Sequence, residues 1–309
     1  MHLSRRSFLT HSALASGALL SSAVVGAEAI SKPKTMLTRT IASAATPEAL
    51  PIVGMGTWNT FDVGPSSEER APLLDVLKAF FESGARLIDS SPMYGQAERT
   101  TGDLVQQLGK RANTFFATKV WTTGRDNGVA QIEQSMRLLK TPRLDLLQIH
   151  NLLDWRAHVP TLRRLKDESK LRYAGVTHYT VSAHADIEQV LKVEKLDFAQ
   201  FNYSLATREA EKRLLPWCQE NGIAVLINRP FEEGALFTRV RGRKLPAYAR
   251  EFDCTSWAQF FLKFILSHPA VTCVIPATSR VTHMRDNLQA GFGKLPDAKM
   301  RERMVKELA

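Results

Sequence analysis

From position 50 onward the chain alternates two rhythms. Short apolar runs occupy positions 52–56, 86–89, 114–119, 144–150, 171–176, 198–201, 224–227 and 271–275. Longer stretches follow them, at 69–83, 96–108, 129–139, 159–169, 182–192, 206–221, 256–267 and 282–290. In the first of these, Leu73, Leu74, Leu77, Phe80 and Phe81 recur at helical spacing. A recurrence every three or four residues predicts an amphipathic helix, and short apolar runs between turn residues predict buried strands.

Strand and helix alternating eight times predict parallel strands joined by right-handed crossovers. Eight such units in about 240 residues match the size of a closed α/β structure, the (β/α)8 TIM barrel. An open doubly wound sheet is the alternative. Segments 37–41 and 50–53 are expected to form a hairpin sealing one end of the barrel. One long connection, Arg229 to Cys254, separates the seventh strand from the next helix and reads as functional. No composition break divides residues 30–309, which are expected to form one domain.

The N-terminal segment departs from this rhythm. Ser4-Arg5-Arg6-Ser7-Phe8-Leu9 precedes a mild apolar run from Ala13 to Ala27, and Ala27-Glu28-Ala29 follows. A basic region, a short apolar region and an A-x-A site in that order predict a signal peptide over residues 1–29, cleaved near Ala29. The paired arginines resemble the twin-arginine signal. The expectation is export of a folded chain to a bacterial periplasm, with the twin-arginine machinery as partner. The run is shorter than the roughly 20 apolar residues that span a bilayer, and no other segment reads as a stable membrane span.

Composition adds limits. The 309 residues are 44% hydrophobic and 23% charged, ordinary for a globular chain. Forty-one basic against 31 acidic residues leave a net charge of +10. A phosphorylated ligand is one source of such an excess. Nucleic acid is not expected: Arg163, Arg164 and Lys166 read as a solvated helix face, and Arg241-Gly242-Arg243-Lys244 has no interleaved aromatics. Cys218, Cys254 and Cys273, without a C-x-x-C, exclude a disulfide framework and a cysteine-rich zinc site, and no metal is expected. Gly54-Met55-Gly56 begins like a dinucleotide fingerprint, but Asn59 stands where the third glycine belongs.

The chemistry gathers where apolar runs end. The second strand ends in Asp89, and Tyr94 follows; the third ends in Lys119 and the fourth in His150. In a parallel barrel these ends converge on one mouth, so residues up to 61 positions apart are expected to meet. A phenol, with a pKa near 10, is a weak acid, and a buried cation beside it is expected to lower that value. Asp89 then holds Lys119 charged and in place, while His150 orients a carbonyl oxygen or shares its proton. Such a set donates a proton to a developing alkoxide, which suits carbonyl reduction with hydride from a nicotinamide.

The motifs Leu-Ile-Asp89-Ser-Ser-Pro-Met-Tyr94-Gly-Gln-Ala-Glu98, Ala-Thr-Lys119-Val-Trp121 and Asp145-Leu-Leu-Gln-Ile-His150 resemble the signatures of the aldo-keto reductase family. The resemblance runs from about Pro51 to Ala290. It implies a (β/α)8 barrel that reduces small carbonyl or sugar-like substrates with NADP(H). It also implies that Tyr94 is the general acid, tuned by Asp89 and Lys119, with His150 orienting substrate. Gly175-Val176-Thr177-His178 and Gln200 match the family's nicotinamide carboxamide ligands, and Gly56, Thr57 and Trp58 its first-strand motif. Asn228 and Pro230 match positions after the seventh strand. The segment with Ile275, Thr278, Ser279, Arg280 and Asn287 resembles the family's adenosine phosphate segment. Arg280 and Ser279 near a helix start suit an anionic 2′-phosphate. Trp58 and Trp121 are candidates for an apolar substrate pocket.

Three positions depart from that pattern. His178 replaces an asparagine, Asn228 stands where many members place an aromatic under the nicotinamide, and Ala277 occupies a site that is lysine in some branches. The basic segment after Pro230 is expected to fold over the cofactor phosphates. An NADP-binding regulatory or partner protein with little turnover is the alternative function.

Overall fold

The structure, a computed structural model, describes residues 35–44 and 46–308; the expected signal peptide lies outside the described residues. An antiparallel hairpin, β1 (Thr38–Ile41) and β2 (Glu48–Pro51), opens the described chain. Eight parallel strands follow: β3 (Met55–Gly56), β4 (Leu87–Asp89), β5 (Phe115–Val120), β6 (Leu144–His150), β7 (Leu171–Thr177), β8 (Phe198–Asn202), β9 (Ala224–Asn228) and β10 (Cys273–Val274). Each pairs with its neighbour in chain order. Backbone bonds from Gly54 to Val274 at 2.9 Å and from Val274 to Ile52 at 3.0 Å return β10 to the first strand and close the cylinder. The closed eight-stranded barrel expected from the alternation is present, and the open-sheet alternative is not.

Helices α1 (Ser67–Glu82), α2 (Ala97–Gln107), α3 (Arg125–Leu138), α4 (Trp155–Asp167), α5 (His184–Val193) and α6 (Leu214–Glu220) make the crossovers. The short α7 (Ala235–Arg239) lies in the long connection, followed by α8 (Trp257–Leu266), α9 (Val281–Gln289) and α10 (Ala298–Lys306). Helix α1 begins earlier than its apolar stripe suggests, because Ser66 accepts from Glu69 N–H and donates to the Glu69 carboxylate at 2.7 Å. The Ser66 side chain thus caps the helix, and Glu69 reaches back to it and to Gly64 N–H at 3.2 Å. The single helix expected over 206–221 divides into a tight turn at Glu209–Lys212 and then α6. Pro216 explains the restart: without an N–H it fits only a first turn.

Alternation along the strands sorts two cores. Leu87, Phe115, Leu146, Tyr173, Phe198, Ala224, Leu226 and Cys273 pack inside the barrel. Tyr173 and Phe198 meet edge to face at 5.4 Å, a pairing worth about 0.5–1.5 kcal/mol beyond the buried area. The outward residues of the same strands pack against the helices. Ile41 and Leu50 of the hairpin join the inner core at the strand starts, so the hairpin stops that end as expected. Arg39 secures it, donating to the carbonyl of Leu266 at 2.6 Å, in the last turn of α8, and to that of His268 at 2.6 Å, just beyond it. Glu48 receives Tyr173 OH at 2.6 Å and pairs with Arg172.

The connection from Arg229 to Cys254 is a packed cap. Leu236, Tyr248, Ala249, Phe252 and Cys254 are buried, and Phe237 meets Phe261 of α8 at 5.6 Å. Arg243 turns to Glu307 at 3.5 Å near the C-terminus, while Arg241 and Lys244 stay exposed. All three cysteines are free and buried.

Candidate active site

Going up each strand from the inner core, every second residue still faces inward, and there the apolar layers give way to polar ones. Leu87 leads to Asp89, Phe115 and Ala117 to Lys119, Leu146 to Gln148 and His150, Tyr173 to Thr177, and Phe198 to Gln200. These are the strand ends at which catalysis sits in this architecture. The register sets the neighbours: Lys119 pairs with Gln148, His150 with Thr177, and Thr177 with Gln200.

Lys119 is fully buried, and its Nζ lies 2.6 Å from Asp89 Oδ2 and 2.6 Å from the carbonyl oxygen of Ser90. Asp89 Oδ1 accepts from Gln148 Nε2 at 3.2 Å and Gln200 Nε2 at 3.0 Å. Three donors therefore hold one carboxylate. Burial works against the Lys119 ammonium, but Asp89, Tyr94 and Glu98 outweigh it and raise its pKa above the ordinary lysine value. An ion pair this buried loses a donor or acceptor only at high cost, because the remaining charge stays unsolvated.

Tyr94 stands on the turn after β4, with Lys119 Nζ 5.2 Å from its ring centroid. Gly95 makes that turn: its φ is +56°, and a Cβ there would lie 2.2 Å from Asp62 Oδ1. Asp62 in turn accepts from Gln96 N–H at 2.8 Å. The expected lowering of the Tyr94 phenol does not occur. Burial raises it above 10, Lys119 pulls it back in part, and Asp89 opposes that pull. The sequence reading weighed the cation and missed the desolvation. The phenol is thus a firmly held proton at neutral pH.

His150 is buried, 6.1 Å from the Tyr94 ring and nearly perpendicular to it. Its Nδ1 shares a hydrogen bond with Ser91 Oγ at 3.1 Å. Burial first, then Lys119 and His178, push its pKa down to about 3, so it is neutral. A neutral ring donates from one nitrogen only. The Ser91 bond decides which: when Oγ donates to Nδ1, the ring proton sits on Nε2.

Trp121 and Trp58 stand at the rim, 40% and 45% exposed. Trp121 lies 6.3 Å from the His150 ring, and Gln131 of α3 grips its backbone N–H and carbonyl at 2.6 and 3.2 Å. Thr57 is buried and donates to the Asp89 carbonyl and to Ser90 Oγ, so it shapes the turn. Gly56 lets β3 approach the next segment, since a Cβ would meet Ile275 O at 3.1 Å. The Ile275 side chain packs in the inner core.

The other residues singled out in the sequence lie along the same end. Gln200 is committed at both ends of its amide, to Asp89 and to Thr177 Oγ1 at 3.0 Å. His178 Nδ1 accepts from the N–H groups of Tyr179 and Thr180 at 3.0 and 3.2 Å, within its own turn. Asn228 Nδ2 donates to His178 O, while its Oδ1 is buried without a partner. Pro230 is buried just beyond it. Thr278 Oγ1 accepts from Arg280 N–H at 3.1 Å at the start of α9, leaving Ser279 and Arg280 exposed. Asn287 is buried on α9. Ser90, Ser91 and Gln148, which contact Asp89, Lys119 and His150, were not singled out in the sequence. Their place next to Asp89, and two before His150, was the available signal. Among the described residues no cluster suits a metal ion, and no helix is long and apolar enough to cross a membrane.

Comparison with known proteins gives this geometry its context. Methylglyoxal reductase YeaE of Escherichia coli is 29% identical over 246 residues, covering 77% of this chain and 84% of that protein. An NADH-specific methylglyoxal reductase of the same organism is 26% identical, covering 64% and 69% of the two chains. Among solved structures, an aldo-keto reductase from Klebsiella pneumoniae in complex with NADPH superposes with a TM-score of 0.73. It is 24% identical, and the match covers 90% of this chain and 96% of that one. The barrel is thus a fold that this chain shares with aldo-keto reductases. The family profile matches residues 52–305, from the first barrel strand into the last helix, and by that match the chain belongs to the Aldo/keto reductase family.

Proposed function

We propose that the chain reduces small aldehydes or ketones, including sugar-like carbonyls, with NADPH as hydride donor and Tyr94 as general acid. One observation carries the reading: a buried Lys119–Asp89 pair lies beside Tyr94 and His150 at the polar end of an otherwise apolar barrel.

The residues fit a nicotinamide cofactor. Asn228 Oδ1 is a buried acceptor without a partner at the end of β9, and Ser279 and Arg280 are exposed where α9 begins. A helix start favours an anion. Thr177, His178, Gln200 and Asn228, with Gly56, Thr57, Pro230 and Ile275, would hold the nicotinamide half; Thr278, Ser279, Arg280 and Asn287 would hold the phosphate half. When bound, NADPH supplies the hydride.

The chain's own residues do the rest. His150, neutral, donates from Nε2 to the carbonyl oxygen and fixes its position. Tyr94 gives its proton to that oxygen as negative charge develops there. Lys119 stabilises the phenolate left behind, and Asp89 keeps Lys119 in place. Trp58 and Trp121 shield the mouth from water with apolar surface. Residues 1–29 form the twin-arginine leader in this reading, which directs a folded chain to the periplasm.

A partner protein with little turnover is the second reading. It draws on His178 and Asn228, which depart from the family's nicotinamide contacts. A steady-state assay with NADPH and simple aldehydes, methylglyoxal among them, separates the two. Turnover of at least one aldehyde supports the enzyme; nucleotide binding without oxidation of NADPH supports the partner.

A further inference from the structure

Behind Lys119, on the outer side of β5, lies a second buried carboxylate. Glu98 is 1% exposed. Its Oε1 accepts from Thr118 Oγ1 at 2.5 Å and its Oε2 from Ser135 Oγ at 3.0 Å. Thr118 adjoins Lys119 on β5, so its side chain faces α2 while that of Lys119 faces the mouth. The site is built by close packing. Gly102 lies one turn after Glu98 on the same face of α2, and a Cβ there would stand 2.1 Å from Leu138 O. Without that side chain α2 presses against α3, and Ser135 reaches Glu98.

The two partners of Glu98 are neutral hydroxyls. The cations near α2, Arg70 and Lys140, are engaged with Asp103 at 2.9 and 2.6 Å. The charged group acting on Glu98 is Lys119. A distance of 2.5 Å is typical of a hydroxyl donating to an ionised carboxylate.

We propose that Glu98 is a positioning residue for the proton donor, a buried negative charge behind β5 that acts with Asp89 to keep Lys119 charged beside Tyr94. Lys119 then stands between two carboxylates, one on each side of its strand. Asp89 holds the ammonium directly, and Glu98 acts through space, its carboxylate held behind the strand by Thr118 and Ser135. Burial holds the Glu98 pKa above the ordinary carboxylate value; the Thr118 and Ser135 hydroxyls, and after them Lys119, pull it back in part, while Glu98 adds to Asp89 and Tyr94 in raising that of Lys119. The inference deepens the reductase reading and rests on it for its kinetic arm.

The kinetic test is the pH profile of kcat/KM for carbonyl reduction in Glu98→Gln, which keeps the shape and removes the charge. Losing the charge behind β5 makes the Lys119 ammonium easier to deprotonate. The basic limb, read as loss of the Lys119 proton, is expected to move down by about half a unit to one unit. In Thr118→Val, which removes a hydrogen bond but leaves the charge, the limb is expected to stay. A Glu98→Gln profile that coincides with the wild type, whatever its melting temperature, overturns the proposal.

A second measurement needs neither turnover nor that variant. In full-length protein labelled with 13C at glutamate carboxyls, Glu98 is expected to titrate at a higher pH in Lys119→Met than in the wild type. Coupling between two charges is reciprocal. Unchanged titration overturns the proposal even if the enzyme is active. The same shift found alongside wild-type protein that reduces no aldehyde upholds the coupling and rejects the reductase reading.

Discussion

Asn228 Nδ2 donates to the backbone carbonyl of His178 at 3.1 Å, tying the end of β9 to the turn after β7 across the intervening strand. Two of the positions at which the sequence reading expected a departure from the family pattern are thus joined to each other. One hydrogen bond of this kind contributes about 0.5–1.5 kcal/mol. Asn228→Ala is expected to lower stability by that amount in urea titration. Loss of the partnerless Oδ1 should also weaken NADPH by a further few-fold in fluorescence titration. Nucleotide affinity equal to that of the wild type removes Asn228 from the binding site.

Tyr94→Phe keeps the ring against His150 and removes only the hydroxyl. General acid catalysis contributes about 10²–10⁴ in rate, so kcat should fall at least about a hundredfold. NADPH should still bind, because the proposed nucleotide contacts lie elsewhere. Full activity in this variant eliminates Tyr94 as the donor.

Arg280 decides cofactor choice in the proposed site. A charge-assisted hydrogen bond contributes roughly 1.5–3 kcal/mol, and its loss should weaken NADPH by about 10- to 150-fold. NADH should be almost unaffected. Equal weakening of both nucleotides would move the assignment to Arg285.

Acid stability should report the buried imidazoles. His150 is held near pKa 3 and His268 near 4, both mainly by burial, against an ordinary 6.5. Below 6.5 the unfolded chain binds protons that the folded chain refuses, so stability falls as pH falls. Each ring contributes a slope of roughly 1.4 kcal/mol per pH unit within its window, which closes at the folded value. His150→Gln should flatten the unfolding free energy between pH 6.5 and 3. An unchanged slope means that the ring is protonated in the fold.

Export is tested before the mouth is involved at all. Replacing Arg5 and Arg6 with Lys should leave full-length precursor in the cytoplasm, seen by fractionation and immunoblot. Normal secretion of the double variant rejects the twin-arginine reading.

The barrel was legible because its strands alternate cleanly. In β5, Phe115 and Ala117 point inward, so Lys119 had to do so too. The end of an apolar run was therefore enough to find Asp89, Lys119 and His150. Neither the strand pairing that gives Asp89 its two glutamines nor the α2–α3 contact at Gly102 was legible, because both depend on distant segments meeting. The sign of the Tyr94 shift was misjudged for a related reason: a neighbouring charge shows in a motif, whereas burial is a property of the whole barrel. In the segment after Pro230 the charges are conspicuous, whereas Leu236, Tyr248 and Phe252, spaced irregularly between them, offered no rhythm from which their burial could be read.

The stopper formed by β1 and β2 has a practical consequence. Met36 and Thr38 start the fold at the blind end of the cylinder, with Arg39 bolted to α8. Residue 35 therefore enters the fold beside the strand starts, at the end of the cylinder opposite to the strand ends that carry Asp89, Lys119 and His150. A tether attached at that point, in a chain trimmed to the described residues, would leave the polar end of the barrel on the opposite side.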